Sequence, residues 1–184
     1  MIILHVDSSI SGEQSVSRTV SQTIIDQLKS LNPEAQVVRR DLAAQPLPHV
    51  TLDAFADSSV VDEFLAADVV VVGAPMYNFG IASQLKAWID RLAIAGKTFR
   101  YTDKGPQGLA GGKRVIVASS RGGFYGPETP QAAFDHQESY LRTLFSFLGI
   151  TDLTFSRAEG VALGPEARAD AIAAAKDQAR KLAA

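Results

Sequence analysis

Five short apolar runs punctuate the chain: Ile2–Val6, Val37–Arg40, Val69–Gly73, Val115–Ala118 and Leu153–Phe155. Two of them, IILHV and VVVVG, are almost uninterrupted and rich in β-branched residues. Runs of that kind suit strands buried on both faces, as in a parallel sheet. Between them the apolar residues fall at helical spacing. Val20, Ile24, Leu28 and Leu31 share one face; Ile81, Leu85, Trp88, Ile89 and Leu92 share another; Phe134, Leu141, Leu144, Phe145 and Leu148 trace a third. A shorter helix is predicted between Leu52 and Ala67. A last, alanine-rich helix is predicted from Glu166 to Ala184, opening just after Pro165. Strict alternation of strand and helix predicts one five-stranded parallel sheet with helices on both faces.

Thr98–Lys113, reading TFRYTDKGPQGLAGGK, breaks the alternation. Two strand-like pieces around a Lys-Gly-Pro turn predict a hairpin or flap inserted before the fourth strand. A segment of this size is either a functional loop or a plain exposed hairpin.

Composition narrows the chemistry. A length of 184 residues suits a single domain spanning residues 1–184. With 18 Lys and Arg against 20 Asp and Glu, no basic excess is available to neutralise phosphates, so no nucleic-acid partner is expected. The absence of cysteine removes disulfides, thiolate metal sites and thiol redox chemistry. Redox work would therefore need a bound cofactor. No apolar run is long enough to span a membrane. The opening MIILHVDSSIS lacks a basic region and its apolar run has strand length, unlike a signal peptide. The expected location is cytoplasmic.

In an open parallel sheet of order 2-1-3-4-5, ligands bind beyond the carboxyl ends of strands one and three, where strand order reverses. The loops after strands one, three and four converge there: DSSISGEQSVS, APMYNFG and SSRGGFYGP. The first contains neither GxGxxG nor a P-loop. Instead Ser8, Ser9, Ser11, Ser15 and Ser17 cluster around the start of the first helix. Unpaired N–H groups and a partial positive charge at a helix start can hold a phosphate without Lys or Arg; ordinary N-capping is the alternative. In the second loop, Pro75, Met76, Tyr77, Asn78 and Phe79 suit a flat heteroaromatic ring, or else a packed turn with an Asn cap. In the third, Gly122 and Gly123 allow close approach of backbone to a ligand, or a sharp turn. Arg121 could face negative charge on a cofactor or form an ordinary salt bridge.

The histidines carry little. His5 sits within the first strand as a core residue, His49 in a Pro-rich loop and His136 alone on a helix. No spacing of His and carboxylates suggests a metal. GxSxG is absent, so a hydrolytic triad has weak support.

At these residues the chain resembles the FMN-dependent NADH azoreductases, a branch of the flavodoxin-like NAD(P)H:quinone oxidoreductases. The resemblance rests on Ser9 with Ser15-Val16-Ser17, on Pro75-Met76-Tyr77-Asn78-Phe79, and on Ser120-Arg121-Gly122-Gly123. It extends through TFRYTDKGPQGL, FLGITD and AEGVALGPE, essentially end to end. It implies a flavodoxin-like three-layer α/β sandwich and a homodimer with one FMN per subunit at the interface. Ser9 and Ser15–Ser17 would hold the FMN phosphate, Val16 through its backbone only. Met76–Phe79 and Ser120–Gly123 would hold the isoalloxazine. NADH or NADPH would pass hydride to flavin N5. A quinone or aromatic azo compound would then take two electrons from the same face, in ping-pong order. Cleaving an azo bond to two amines would take two cycles. No protein acid or base is required. The segment from Val50 to Ala67 is shorter than the family pattern.

Phe124 and Tyr125 after the double glycine, and Phe99 and Tyr101 in the inserted hairpin, are expected near the cofactor end of the sheet. There they would form a substrate pocket shared across the dimer. The competing functions are a flavodoxin-type electron carrier, against which the near-neutral charge argues, and a small hydrolase or nucleotide-binding module on the same fold.

Overall fold

A computed structural model of the chain describes residues 1–183. The five parallel strands are β1 (Ile2–Asp7), β2 (Gln36–Asp41), β3 (Val69–Tyr77), β7 (Arg114–Ser120) and β8 (Asp152–Ala158). They pair in the order β2-β1-β3-β7-β8, which is 2-1-3-4-5 counted along the parallel strands, as expected. Each strand runs a residue or more beyond its apolar run, because polar ends such as Asp7, Asp41 and Ser119–Ser120 continue the hydrogen-bonded ladder.

Pleating sorts the strand residues between two cores. Ile3, Val69, Val71, Ile116 and Ala118 face one layer, made of α1 (Val16–Leu31) and α5 (Pro165–Ala183). Leu4, Val6, Val70, Val72, Val115 and Val117 face the other. That second layer holds α2 (Ser59–Ala66), α3 (Ser83–Ile89) and α4 (Glu138–Phe147). The run VVVVG is continuous because its alternate residues feed different cores. On α5, Ala175, Ala179 and Ala183 are buried at four-residue spacing, and their small side chains let the helix lie close to the sheet.

Two sequence expectations shift. The predicted helix between Leu52 and Ala67 divides into a short 3₁₀ turn at Leu52–Ala56 and α2. Asp57 separates them: its carboxylate accepts the Ser59 N–H at 2.9 Å, a local bond that starts the chain afresh. Phe134 does not share the buried face of α4. It lies in a separate 3₁₀ turn, Ala132–Phe134, and is exposed.

The inserted segment is a hairpin of β5 (Phe99–Thr102) and β6 (Gly105–Gly108). It seats on the connection from α4 to β8. A Cβ at Gly108 would lie 2.1 Å from the Gly149 nitrogen, so only glycine permits this approach. Ala110 N–H donates to the Leu148 carbonyl at 2.9 Å, and the Phe99 ring lies 4.7 Å from that of Phe147. This corrects the placement of Phe99 and Tyr101. A segment that leads into a parallel strand enters at that strand's amino end. The hairpin precedes β7, so in this chain both aromatics lie at the end of the sheet opposite the converging loops. Phe99 is buried there against Phe147 and Tyr101.

Candidate functional site

Because β1, β3, β7 and β8 are parallel, the loops that follow them emerge at one end of the sheet. Gly73 of β3 brings the first two loops together. A Cβ there would sit 2.3 Å from an Asp7 carboxylate oxygen. Ser8 then donates its hydroxyl to the Gly73 carbonyl at 2.8 Å.

The serines of the first loop have distinct partners. Ser8 is consumed by Gly73. Ser15 is the N-cap of α1, its hydroxyl accepting the Arg18 N–H at 3.2 Å. The Ser15 and Ser17 hydroxyls lie 3.1 Å apart, and those of Ser9 and Tyr77 3.3 Å apart. The Ser11 N–H donates to Ser9 Oγ. Val16 and Ser17 open α1 ahead of its first backbone bond, from Thr19 N–H to the Ser15 carbonyl. Ser15 thus caps the helix, and the Val16 and Ser17 N–H groups precede its first backbone bond.

A cleft of about 210 Å³ opens beside this turn. Ser9, Ser15 and Val16 line it from the first loop, Pro75, Met76 and Tyr77 from the second, and Ser120 and Gly122 from the third. Ser11, Gln14, Val161 and Arg168 complete it. A second hollow of about 580 Å³ adjoins it at Met76 and Tyr77, and Ile10, Asn78, Ile81, Ser83 and Gln84 also line it.

The second loop is a two-residue hairpin. Tyr77 pairs with Gly80 and Met76 with Ile81 of β4 (Gly80–Ile81). Asn78 and Phe79 between them both have positive φ, 47° and 69°. This is the backbone of a type I′ turn. Phe79 is held on its outer side by Tyr125 and Phe134, with ring centroids 6.0 and 5.5 Å away. Phe79, Phe124 and Phe134 are each about half exposed, and Ile10 more so, which leaves apolar surface on the segments that follow β1, β3 and β7.

The Arg121 side chain does not line the cleft; of the two readings open for it, the salt bridge is the one it takes. Its guanidinium is wholly buried on the other side of the loop. It pairs with Glu138 at 2.6 Å, Asp135 at 2.9 Å and Glu159 at 3.3 Å. Its Nε donates to Ser119 Oγ at 3.1 Å. Glu138 also takes two bonds from Arg157, whose own pKa is raised by that contact. Glu159 accepts the Tyr125 N–H at 2.7 Å. The network clamps the third loop, so that Gly122 borders the cleft while Arg121 points away from it.

His5 is the satisfied core histidine expected. Its Nδ1 accepts from Arg39 at 2.9 Å, which leaves Nε2 to donate to Ser21 Oγ at 2.9 Å and to Asp7 at 3.2 Å. Ser21, His5 and Asp7 have the makeup of a hydrolytic triad, yet Ser21 and His5 are sealed from solvent. A substrate could not reach that hydroxyl. No group of three or more His, Cys, Asp or Glu able to hold a metal ion occurs among the described residues. No described helix is long and apolar enough to cross a membrane.

The end of β2 is tied to the first loop by Arg18, which bonds Asp41 through two nitrogens at 2.7 Å each. That contact holds the Asp41 carboxyl down at about 2. Burial pushes Asp7 up, but hydrogen bonds from His5 and Ser21 and the charge of Arg18 outweigh it, leaving Asp7 below its usual value. A carboxylate whose folded pKa is depressed stabilises the fold above its unfolded pKa of about 3.9 and loses that contribution as pH falls through the folded value. Acid destabilisation between about pH 4 and 2 is expected to be smaller in Asp41→Asn than in the wild-type chain, read as the shift in urea midpoint between pH 5 and 2.5. Equal shifts would show that the Arg18–Asp41 pair does not couple to folding.

A family model described as flavodoxin-like fold matches residues 1–183. The chain belongs to the flavodoxin-like fold family. Among curated members, the "FMN-dependent NADH:quinone oxidoreductase" of Bradyrhizobium sp. strain BTAi1 is 54% identical over 201 aligned positions, covering all of both chains. The one from Rhizobium meliloti strain 1021 is 55% identical, covering 96% of this chain and 94% of its own. An alignment of 201 positions over a chain of 184 residues means that the Bradyrhizobium relative has segments absent here. Among solved structures, an azoreductase from Bacillus anthracis superposes with a TM-score of 0.91 at 31% identity, covering 100% of this chain and 98% of that one.

Gln14, Val161 and Arg168 line the cleft but were not singled out in the sequence. Val161 and Arg168 follow β8, a strand whose loop the switch-point rule does not emphasise. The family-like run AEGVALGPE leads straight to Arg168, and that was the available signal.

Proposed function

We propose that the chain is an FMN-dependent NADH:quinone oxidoreductase that also cleaves aromatic azo compounds. The observation that carries this is the convergence of Ser9, Ser15 and Val16 with Pro75–Tyr77 and with Ser120 and Gly122 in one cleft at the β1/β3 switch point. The names of the relatives at 54–55% identity and of the 31%-identical azoreductase support it. The residues fit FMN: a helix start with serine hydroxyls for the phosphate, and a hollow of mixed apolar and amide lining for the ring. When bound, FMN would supply the two-electron chemistry between NADH or NADPH and a quinone or azo acceptor.

The protein's part is placement. Val16 and Ser17 N–H groups, with the Ser15 and Ser17 hydroxyls, hold the phosphate end. Met76, Tyr77 and Asn78 orient the ring, and backbone of Gly122 and Gly123 lies against it without side-chain obstruction. Arg121, locked among carboxylates, fixes the course of that backbone. Phe79, Phe124 and Tyr125 form an apolar rim that excludes water and stacks flat aromatic acceptors. The same rim supports a two-fold homodimer, since exposed apolar patches beside a cleft mark interfaces. A cytoplasmic location accords with the reductant.

Purified protein reconstituted with FMN is expected to oxidise NADH rapidly with a quinone acceptor, to give parallel double-reciprocal lines, and to sediment as a dimer at micromolar concentration. Bound FMN without NADH oxidation would identify an electron carrier instead. Intersecting lines would overturn the ping-pong order, and a monomer the shared pocket.

A further inference from the structure

Two arginines flank the serine turn, and their electrostatic situations differ. Arg18 is neutralised: Asp41 lies 2.7 Å from its guanidinium and Asp7 3.8 Å. Arg168 is not. It stands in the first turn of α5, and its guanidinium reaches across to donate to the Gln14 carbonyl at 2.5 Å, two residues before Val16. No carboxylate among the described residues lies within 4.0 Å of it. It lines the cleft alongside Ser11, Gln14, Ser15 and Val16. A cation fixed to the loop, open to the cleft and free of a counter-ion among the described residues is arranged for an anionic ligand. Serine hydroxyls and helix-start amides add donors but no full charge.

We propose that Arg168 is the charged anchor of the FMN phosphate. This rests on the FMN reading above and adds to it a residue from the opposite end of the chain. A phosphomonoester carries close to two negative charges at neutral pH. The Arg fork has N–H donors beyond the one used by Gln14, and charge-assisted bonds from it to phosphate are strong. Gln14 acts as a tether, since its carbonyl holds the guanidinium against the loop.

Riboflavin separates charge recognition from everything else in the site, because it has the same ring and side chain without the phosphate. In wild-type protein, flavin fluorescence quenching is expected to show FMN binding more tightly than riboflavin, with FMN affinity falling as salt rises. In Arg168→Gln the FMN dissociation constant is expected to rise about ten- to fiftyfold at low ionic strength, the size of a lost charged hydrogen bond. Riboflavin affinity should stay within about twofold and the salt slope should flatten, because the variant lacks the charge that salt screens. Arg168→Lys should recover part of the FMN affinity and the salt slope. Equal loss for FMN and riboflavin, or a loss of FMN affinity that salt does not modulate, would make Arg168 a structural tether and overturn the assignment. An unchanged FMN constant would overturn it too. Wild-type protein that binds neither flavin would instead sink the FMN reading itself.

Discussion

Arg121→Met is expected to lower the free energy of unfolding by about 3–5 kcal/mol, the scale of breaking a buried ion pair by removing one partner. The side chain is wholly buried, and its loss leaves Asp135, Glu138 and Glu159 facing each other with only Arg157 and the more exposed Arg142 to balance them. Urea unfolding at pH 7 measures the loss. A variant within about 1 kcal/mol of wild type would mean that the network relaxes into solvent and that the third loop is held by other means.

The second large effect is on ligand binding. Ser15→Ala with Ser17→Ala is expected to weaken FMN binding by about 1–3 kcal/mol, through lost hydrogen bonds to a charged group. Ser15 also caps α1, so part of the measured change will be helix stability. Comparison at matched unfolding midpoints, or with Ser17→Ala alone, isolates the ligand term. Unchanged FMN affinity at matched stability would move the phosphate away from this turn.

The strands were legible because each is a β-branched run in a sheet covered on both faces, where local composition and tertiary burial agree. The division of the Leu52–Ala67 helix was less so, since a single Asp57 side-chain bond decides it. At the site, the loops that converge could be named from topology alone, and serine at a helix start already suggests the cap that Ser15 forms. The direction of the Arg121 side chain could not. Its three carboxylate partners lie 14 to 38 residues away, and nothing near SRGG indicates that they meet there. Phe99 and Tyr101 illustrate the opposite case. Their position before β7 already implied the amino end of the sheet, but their aromatic character drew them toward the pocket. Arg168 was hidden because a lone arginine in a surface-patterned helix has no distinctive context until α5 is packed beside α1.

The turn at Asn78 and Phe79 has a consequence for how this chain can change. A bulky residue at φ 69° is rare, and the left-handed conformation costs a non-glycine residue about 1–2 kcal/mol. Asn tolerates it, and glycine would remove the cost at either position. Glycine at 79 would relax the backbone yet delete the ring that meets Tyr125 and Phe134. Stability and the aromatic wall thus pull this position in opposite directions. Selection for heat tolerance alone would drift toward glycine at 79, and selection that keeps this aromatic cluster would hold the phenylalanine against it.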